Sequence, residues 1–326
     1  MTKLESFLYN QIKDEKDENY IKYISTFRLL SESSHFINER KGALLGYYSI
    51  VKVIKRISEQ KGVEVCHIKL LDELMKCLKI CLKDNDNKII ASAANCMYNI
   101  MTYFNSYVLI NFNDFFDGLL TLVTVDDTEI KEIAKSLDNS LKGIINYSFQ
   151  GKFTENFNLL EFFKKIILDI ALENPADKSI IVSWISSINQ IPSIKLINIL
   201  YLFLGELFDM LEIKDQEVQN ITNECLKDFY KEIENDFEDI PYNIKIKIFE
   251  IVIQKCEKNL PEEKNVKFIA FKWANLFLLQ YKILFLSMNN NNQKKYESKK
   301  NNSNNSNNTN NINKNTNMEN SVNNNN

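Results

Sequence analysis

The chain has 326 residues, a formal net charge of −3, 44% apolar residues, and only 7 Gly and 4 Pro. So little turn-forming material argues against a sheet-rich fold, while the apolar share is ample for a continuous core. Residues 289–326 carry five Lys against two Glu, leaving the preceding body at about −6, without the basic stripe of a nucleic-acid reader, so no nucleic-acid partner is expected.

Along the chain, apolar residues recur at i, i+3, i+4 and i+7 rather than alternating, which selects helix over strand. An irregular first helix is expected near 2–14. Helix pairs follow at 19–35 with 38–57, 64–83 with 86–105, 108–124 with 127–148, 155–172 with 176–190, 193–212 with 215–235, and 241–258 with 262–287. Short polar connections suit antiparallel hairpins, and GKFTENFN near 151 and EDIPYN near 241 mark the clearest breaks.

One basic position returns along these pairs. Counting from Lys41, it falls at Lys88, Lys131, Lys178, Gln219 and Lys267, with steps of 47, 43, 47, 41 and 48. Asp84, Asp127 and Asp215 each stand four residues before that position. A period in the forties with two helices per unit marks HEAT or armadillo arrays. Second helices carry an apolar stripe, as at Leu44, Tyr48, Val51 and Ile54, or at Ile90, Ala93, Ala94, Met97 and Met101. A single hairpin cannot bury such a stripe. The expected fold is therefore all-α, an α-solenoid of about six hairpins with one extended core and a long groove.

Three domains are expected: a helical cap over 1–18, the solenoid over 19–288, and a tail over 289–326. The tail has 20 Asn among its 38 residues and almost no apolar content, a composition expected to stay disordered.

Chemistry is sparse. The two histidines, His35 and His67, limit catalytic and metal readings; Cys66 and His67 with Cys77 and Cys81 lack the paired tight-turn spacing of a zinc site. All six cysteines, these three with Cys96, Cys225 and Cys256, are expected to be reduced and to act as small apolar side chains. No phosphate-cradling glycine motif is present, and Gly42 and Gly46 lie inside a helical pattern, where close packing is their expected role. Asp84, Asp86, Asp126 and Asp127 precede second helices, where they would cap free amides. Trp184 and Trp273 fall on apolar faces and are expected to pack in the core. No enzyme activity, cofactor or metal is expected. MTKLESFLYNQIKDEKDENY lacks a signal-peptide core, and LINILYLFLG, the nearest approach to a membrane span, is bounded by Lys195 and Glu206, so any membrane association should be indirect or peripheral.

ERKGALLGYYSI, AANCMYNIM, NFNDFFDGLLTL with KSLDNSLKGII, IIVSWISSINQIP and FLGELFDML follow the order and spacing of the Vac-fourteen family, which the chain resembles from about residue 35 to 285. That family is the HEAT-repeat scaffold of the complex that makes and turns over phosphatidylinositol 3,5-bisphosphate. The resemblance implies a non-catalytic scaffold for a PIKfyve-type lipid kinase at the cytoplasmic face of endosomal or vacuolar membranes, with kinase binding within about 35–150. Arg40, Lys41, Gly42, Leu45 and Gly46 match one family helix, and Met97, Tyr98, Asn99 and Ile100 another. Arg40, Lys41, Tyr98 and Asn99 are the expected contact residues; Gly42, Leu45, Gly46, Met97 and Ile100 are expected to pack. The family's C-terminal half, which joins scaffold copies and holds a Sac-type phosphatase, has no counterpart before the tail, so self-association and phosphatase binding are carried over less firmly than kinase binding. Lys88 and Gln219 stand where the family often has Arg, which would remove any bidentate contact there. A general HEAT-repeat adaptor for trafficking or another assembly is the alternative reading.

Overall fold

The computed structural model describes residues 2–13, 19–33, 35–64, 67–150, 157–169, 175–257, 266–284 and 286, and every regular element among them is helical. The Asn-rich stretch over 289–326 and Cys66 lie outside the described residues. The helices are α1 (Lys3–Ile12), α2 (Asn19–Ser33), α3 (Ile37–Lys61), α4 (Ile68–Cys81), α5 (Asn87–Tyr103), α6 (Asn105–Ile110), α7 (Phe112–Val123) and α8 (Thr128–Gln150). They continue as α9 (Leu159–Asp169), α10 (Pro175–Asn189), α11 (Leu204–Met210), α12 (Gln216–Asp236), α13 (Tyr242–Glu257) and α14 over 266–284. No described helix is long and apolar enough to cross a membrane.

The architecture is the all-α, HEAT/armadillo-like hairpin array expected of the periodicity. The chain forms two compact units, Met1–Phe229 and Tyr230–Asn326. In the first, α3 packs on α5 and α5 on α8, so successive second helices lie side by side; α2 packs on α4 and α7 on α9 along the first-helix layer. Apolar faces meet between the layers, burying Leu44, Tyr47, Ile50, Leu74, Leu78, Met97, Phe115, Phe116, Leu119 and Leu141. Trp184 is fully buried among Phe112, Phe116 and Phe162, with ring centroids 5.6 to 5.9 Å away. In the second unit, Trp273 is buried beside Tyr230, and Phe237 meets Phe277 and Tyr281 edge-on.

The turn aspartates act at the helix starts. Asp127 Oδ1 accepts from the Ile130 amide at 3.1 Å, and Asp215 Oδ1 from the Glu217 and Val218 amides at 2.9 and 3.0 Å. Before α5 the cap is Asp86, whose Oδ1 accepts from the Lys88 amide at 2.8 Å. Asp84 is thereby left for another partner.

Two expected helices are broken. The stretch 108–124 resolves into α6 and α7, separated at Asn111. The stretch 193–212 begins as two 3-10 turns, Leu196–Asn198 and Leu200–Leu202, before the short α11. Ile194, Ile197, Leu200 and Phe203 recur at every third residue and are all buried. Three residues per turn keeps such a row on one face, whereas an α-helix would rotate it outward.

Two residues of α3 expected to pack do not. A Cβ built on Gly42 meets nothing within 4 Å, and Leu45 is 63% exposed. The buried stripe of α3 runs through Ala43, Leu44, Tyr47, Ile50, Val51 and Ile54, and Leu45 falls outside it. Gly46, by contrast, lets α2 and α3 approach closely: a Cβ there would stand 2.7 Å from the Phe27 ring. The two glycines should respond to alanine with opposite signs. Gly42→Ala should stabilise the chain by about 1 kcal/mol through helix propensity, while Gly46→Ala should destabilise it by about 1–3 kcal/mol through overpacking. Paired urea melts followed by circular dichroism read both.

Candidate functional site

The matching basic segments of α3 and α5 form one side of the first unit. Along α3, Lys41, Leu45, Tyr48 and Lys52 are spaced i, i+4, i+7 and i+11; along α5, Lys88, Ser92, Asn95 and Asn99 repeat that spacing. Each set lies on one face of its helix. Between them runs a groove of about 320 Å³ lined by Leu44, Leu45, Tyr48, Ser92, Asn95, Cys96 and Asn99. Leu44 and Cys96 are buried at its base. Burial pushes the Cys96 thiol well above its ordinary range, so it serves as an apolar floor.

Arg40 is not a free contact residue. Its Nε donates to the Ser31 carbonyl at 3.0 Å and its guanidinium pairs with the Asp84 carboxylate, with only 20% and 14% of the two side chains exposed. It thus joins the end of α2, the start of α3 and the turn before α5. Beside it lie the Ser31 and Tyr47 hydroxyls, 3.3 Å apart, and the Cys77 and Cys81 thiols. Desolvation raises the titration of Tyr47 and pushes Cys81 up to about 11. Burial likewise raises the Cys77 thiol. Among the described residues, no cluster of His, Cys, Asp or Glu could hold a metal ion.

The other expected contact residues separate. Lys41 is half-buried on the groove side of α3 and makes no ion pair among the described residues. Asn99 lines the groove; its Nδ2 donates to the Asn95 carbonyl at 2.6 Å, leaving Oδ1 as an acceptor. Tyr98 is half-buried and sits one step round α5, off the lining. Met97 and Ile100 are fully buried, and Met97 lies where a Cβ on Gly118 would come within 2.7 Å of it, so α5 and α7 meet closely there. Sequence reasoning missed Leu45 as a surface residue, and with it Tyr48, Ser92 and Asn95. The available signal was that Leu45 shares the helical phase of Lys41 and Lys52 rather than that of the buried stripe.

A family model, the Vacuolar 14 Fab1-binding region, matches residues 38–143, from the start of α3 into α8. The Arabidopsis thaliana protein VAC14 homolog is 26% identical over 241 residues, which is 74% of this chain and 30% of that protein. The Schizosaccharomyces pombe protein VAC14 homolog is 26% identical over 184 residues, 47% of this chain and 23% of its own length. The chain therefore spans less than a third of the curated relatives it matches. Among solved structures, a designed armadillo repeat protein overlaps with a TM-score of 0.34 at 14% identity, covering 76% of this chain and 98% of its own, too loose a fit to bear on the fold.

The Arg40 clamp should behave as structure. Arg40→Met should cost about 2–3 kcal/mol, since the Asp84 carboxylate is left part-buried and unpaired. A double-mutant cycle with Asp84→Asn should return a coupling of about 1–2 kcal/mol, read from denaturant midpoints at constant m-value.

Proposed function

We propose that this chain, which belongs to the Vac14 family, is a non-catalytic scaffold that docks a Fab1-type, PIKfyve-like phosphoinositide kinase through α3–α8. The carrying observation is the coincidence of the Fab1-binding region, residues 38–143, with the stretch of the first unit that holds the α3–α5 groove. The contacts fall to Lys41, Asn99 and the side chains between them; Arg40 supports them from behind.

The mechanism is geometric. Helices fixed by their neighbours present several contact groups with little ordering left to do on binding. A kinase held on such a face, with its opposing Sac-type phosphatase held by the same assembly, gains effective concentration without new catalytic chemistry. In this reading the scaffold supports phosphatidylinositol 3,5-bisphosphate synthesis on endosomal or vacuolar membranes, to which it attaches through its partners.

Two measurements in the native cell test the proposal. The tagged chain should retain a phosphoinositide kinase at near-stoichiometric yield, identified by mass spectrometry. Deletion of the gene should lower the bisphosphate several-fold and enlarge the endolysosomal compartment. A folded chain that retains no such kinase, together with unchanged lipid in the deletion strain, overturns it.

A further inference from the structure

The α3–α5 groove has a chemistry that specifies its occupant more closely than the family does. Its walls are mid-helix, and its rim is mainly basic, with Glu5 of α1 beside the Lys52 end. Between Asn87 and Tyr103, α5 contains no Asp or Glu; the carboxylates of α3, Glu39 and Glu59, lie near its two ends. The nearest turn carboxylates are already engaged. Asp84 pairs with Arg40 and accepts from the Asp86 amide at 2.9 Å, and Asp86 caps α5.

Three lysines share the helical phase of the groove walls, Lys41 and Lys52 on α3 and Lys88 on α5. Lys88 is exposed and Lys41 half-buried, neither with an ion pair among the described residues. The Lys52 ammonium is already engaged, 4.3 Å from the Tyr48 ring centroid and 3.8 Å from Glu5. Lys88 stands in the first turn of α5, where the backbone dipole adds positive potential instead of offsetting it. Between the charges lies apolar surface: Leu45 is 63% exposed, above the buried Leu44 and Cys96. Along the α5 wall, the Asn95 amide makes no hydrogen bond among the described residues, and Asn99 Oδ1 is an open acceptor.

We propose that this groove binds a short acidic segment of the partner kinase that carries one large apolar side chain, the side chain seated against Leu45 and Tyr48 and the carboxylates facing Lys41 and Lys88. The volume, about 320 Å³, lies at the small end of ligand pockets and suits one or two side chains. Asn95 and Asn99 are placed to hydrogen-bond the segment's backbone. An anionic lipid headgroup fits less well, because the backbone amides here are used within the helices and no arginine lines the groove. This inference rests on the kinase-docking reading and deepens it.

The test uses the full chain and labelled 20-residue peptides tiling the kinase that co-purifies with it, followed by fluorescence anisotropy. Binding should concentrate in segments with net negative charge and an aromatic or long aliphatic residue, and should weaken as salt rises. Leu45→Arg should reduce it at least tenfold and the pair Lys41→Glu with Lys88→Glu by a similar factor, with unchanged circular dichroism melts. Leu29→Arg, at an exposed position on α2 away from the groove, should leave binding unaltered. If the kinase still co-purifies at full yield with Leu45→Arg and the lysine pair reversed, the groove proposal falls while kinase docking stands. If the unaltered chain retains no kinase, both fall. Binding to phosphoinositide-containing vesicles that is lost in the same variants, with no peptide bound, assigns the groove to lipid and also overturns the proposal.

Discussion

One guanidinium sets the relation between the first two hairpins. Arg40 reaches back to the Ser31 carbonyl at the end of α2 and across to Asp84 in the turn before α5. A planar fork with fixed donor directions holds three chain segments at defined separations, which a lysine ammonium cannot do. The pair is largely withdrawn from water, so its weight lies in the cost of leaving either member unpaired more than in the attraction itself. The Arg40–Asp84 contact ties the start of α3 to the turn before α5, on the two helices that wall the groove, while the close approach at Gly46 seats α3 against α2.

Similar devices recur at later junctions. Lys79 meets Asp114 at 2.6 Å, joining α4 to α7, and Lys165 pairs with Asp117, joining α9 to α7. Asp138 accepts from Trp184 Nε1 at 2.7 Å and from Lys142 at 2.8 Å, joining α8 to α10, and Lys142 also reaches Ser183 at 2.9 Å. Apolar burial supplies the stacking energy in such arrays, but it is tolerant of sliding. A directional polar contact at these junctions restricts which register is occupied. Removing one should therefore loosen a junction locally while its neighbours persist, as expected where stability is a sum of nearest-neighbour terms.

Helix type and pairing were legible because they depend on periodicity, which the sequence displays directly. The Asp that recurs before three of the second helices was legible as a cap for α8 and α12. At α5 two Asp stand where one suffices, and only three-dimensional proximity shows that Asp84 belongs to Arg40, 44 positions earlier. The break over 193–212 was hidden because a run of Leu, Ile and Phe satisfies α and 3-10 spacing equally well over one or two turns. Leu45 was misplaced for a related reason: apolar identity suggested packing, whereas its phase, shared with Lys41 and Lys52, puts it outside.

The basic residues of this region divide by chemistry as well as by place. Arg40, the member suited to fixed bidentate geometry, faces inward and organises the fold; Lys41 and Lys88, compact charges without an ion pair among the described residues, stand on the faces that wall the groove. A surface built this way attracts an anionic partner without prescribing one geometry for each contact. The side groups that can prescribe geometry are instead Tyr48, Asn95 and Asn99, and the exposed Leu45 adds the apolar surface that salt does not screen. Loss of a partner by such a surface can thus arise by two routes that look alike in a binding assay. A change at Arg40 or Asp84 removes the groove by releasing the hairpins, and lowers stability in proportion. A change among the groove residues removes affinity from a chain that melts as before. Only the second kind reports on recognition.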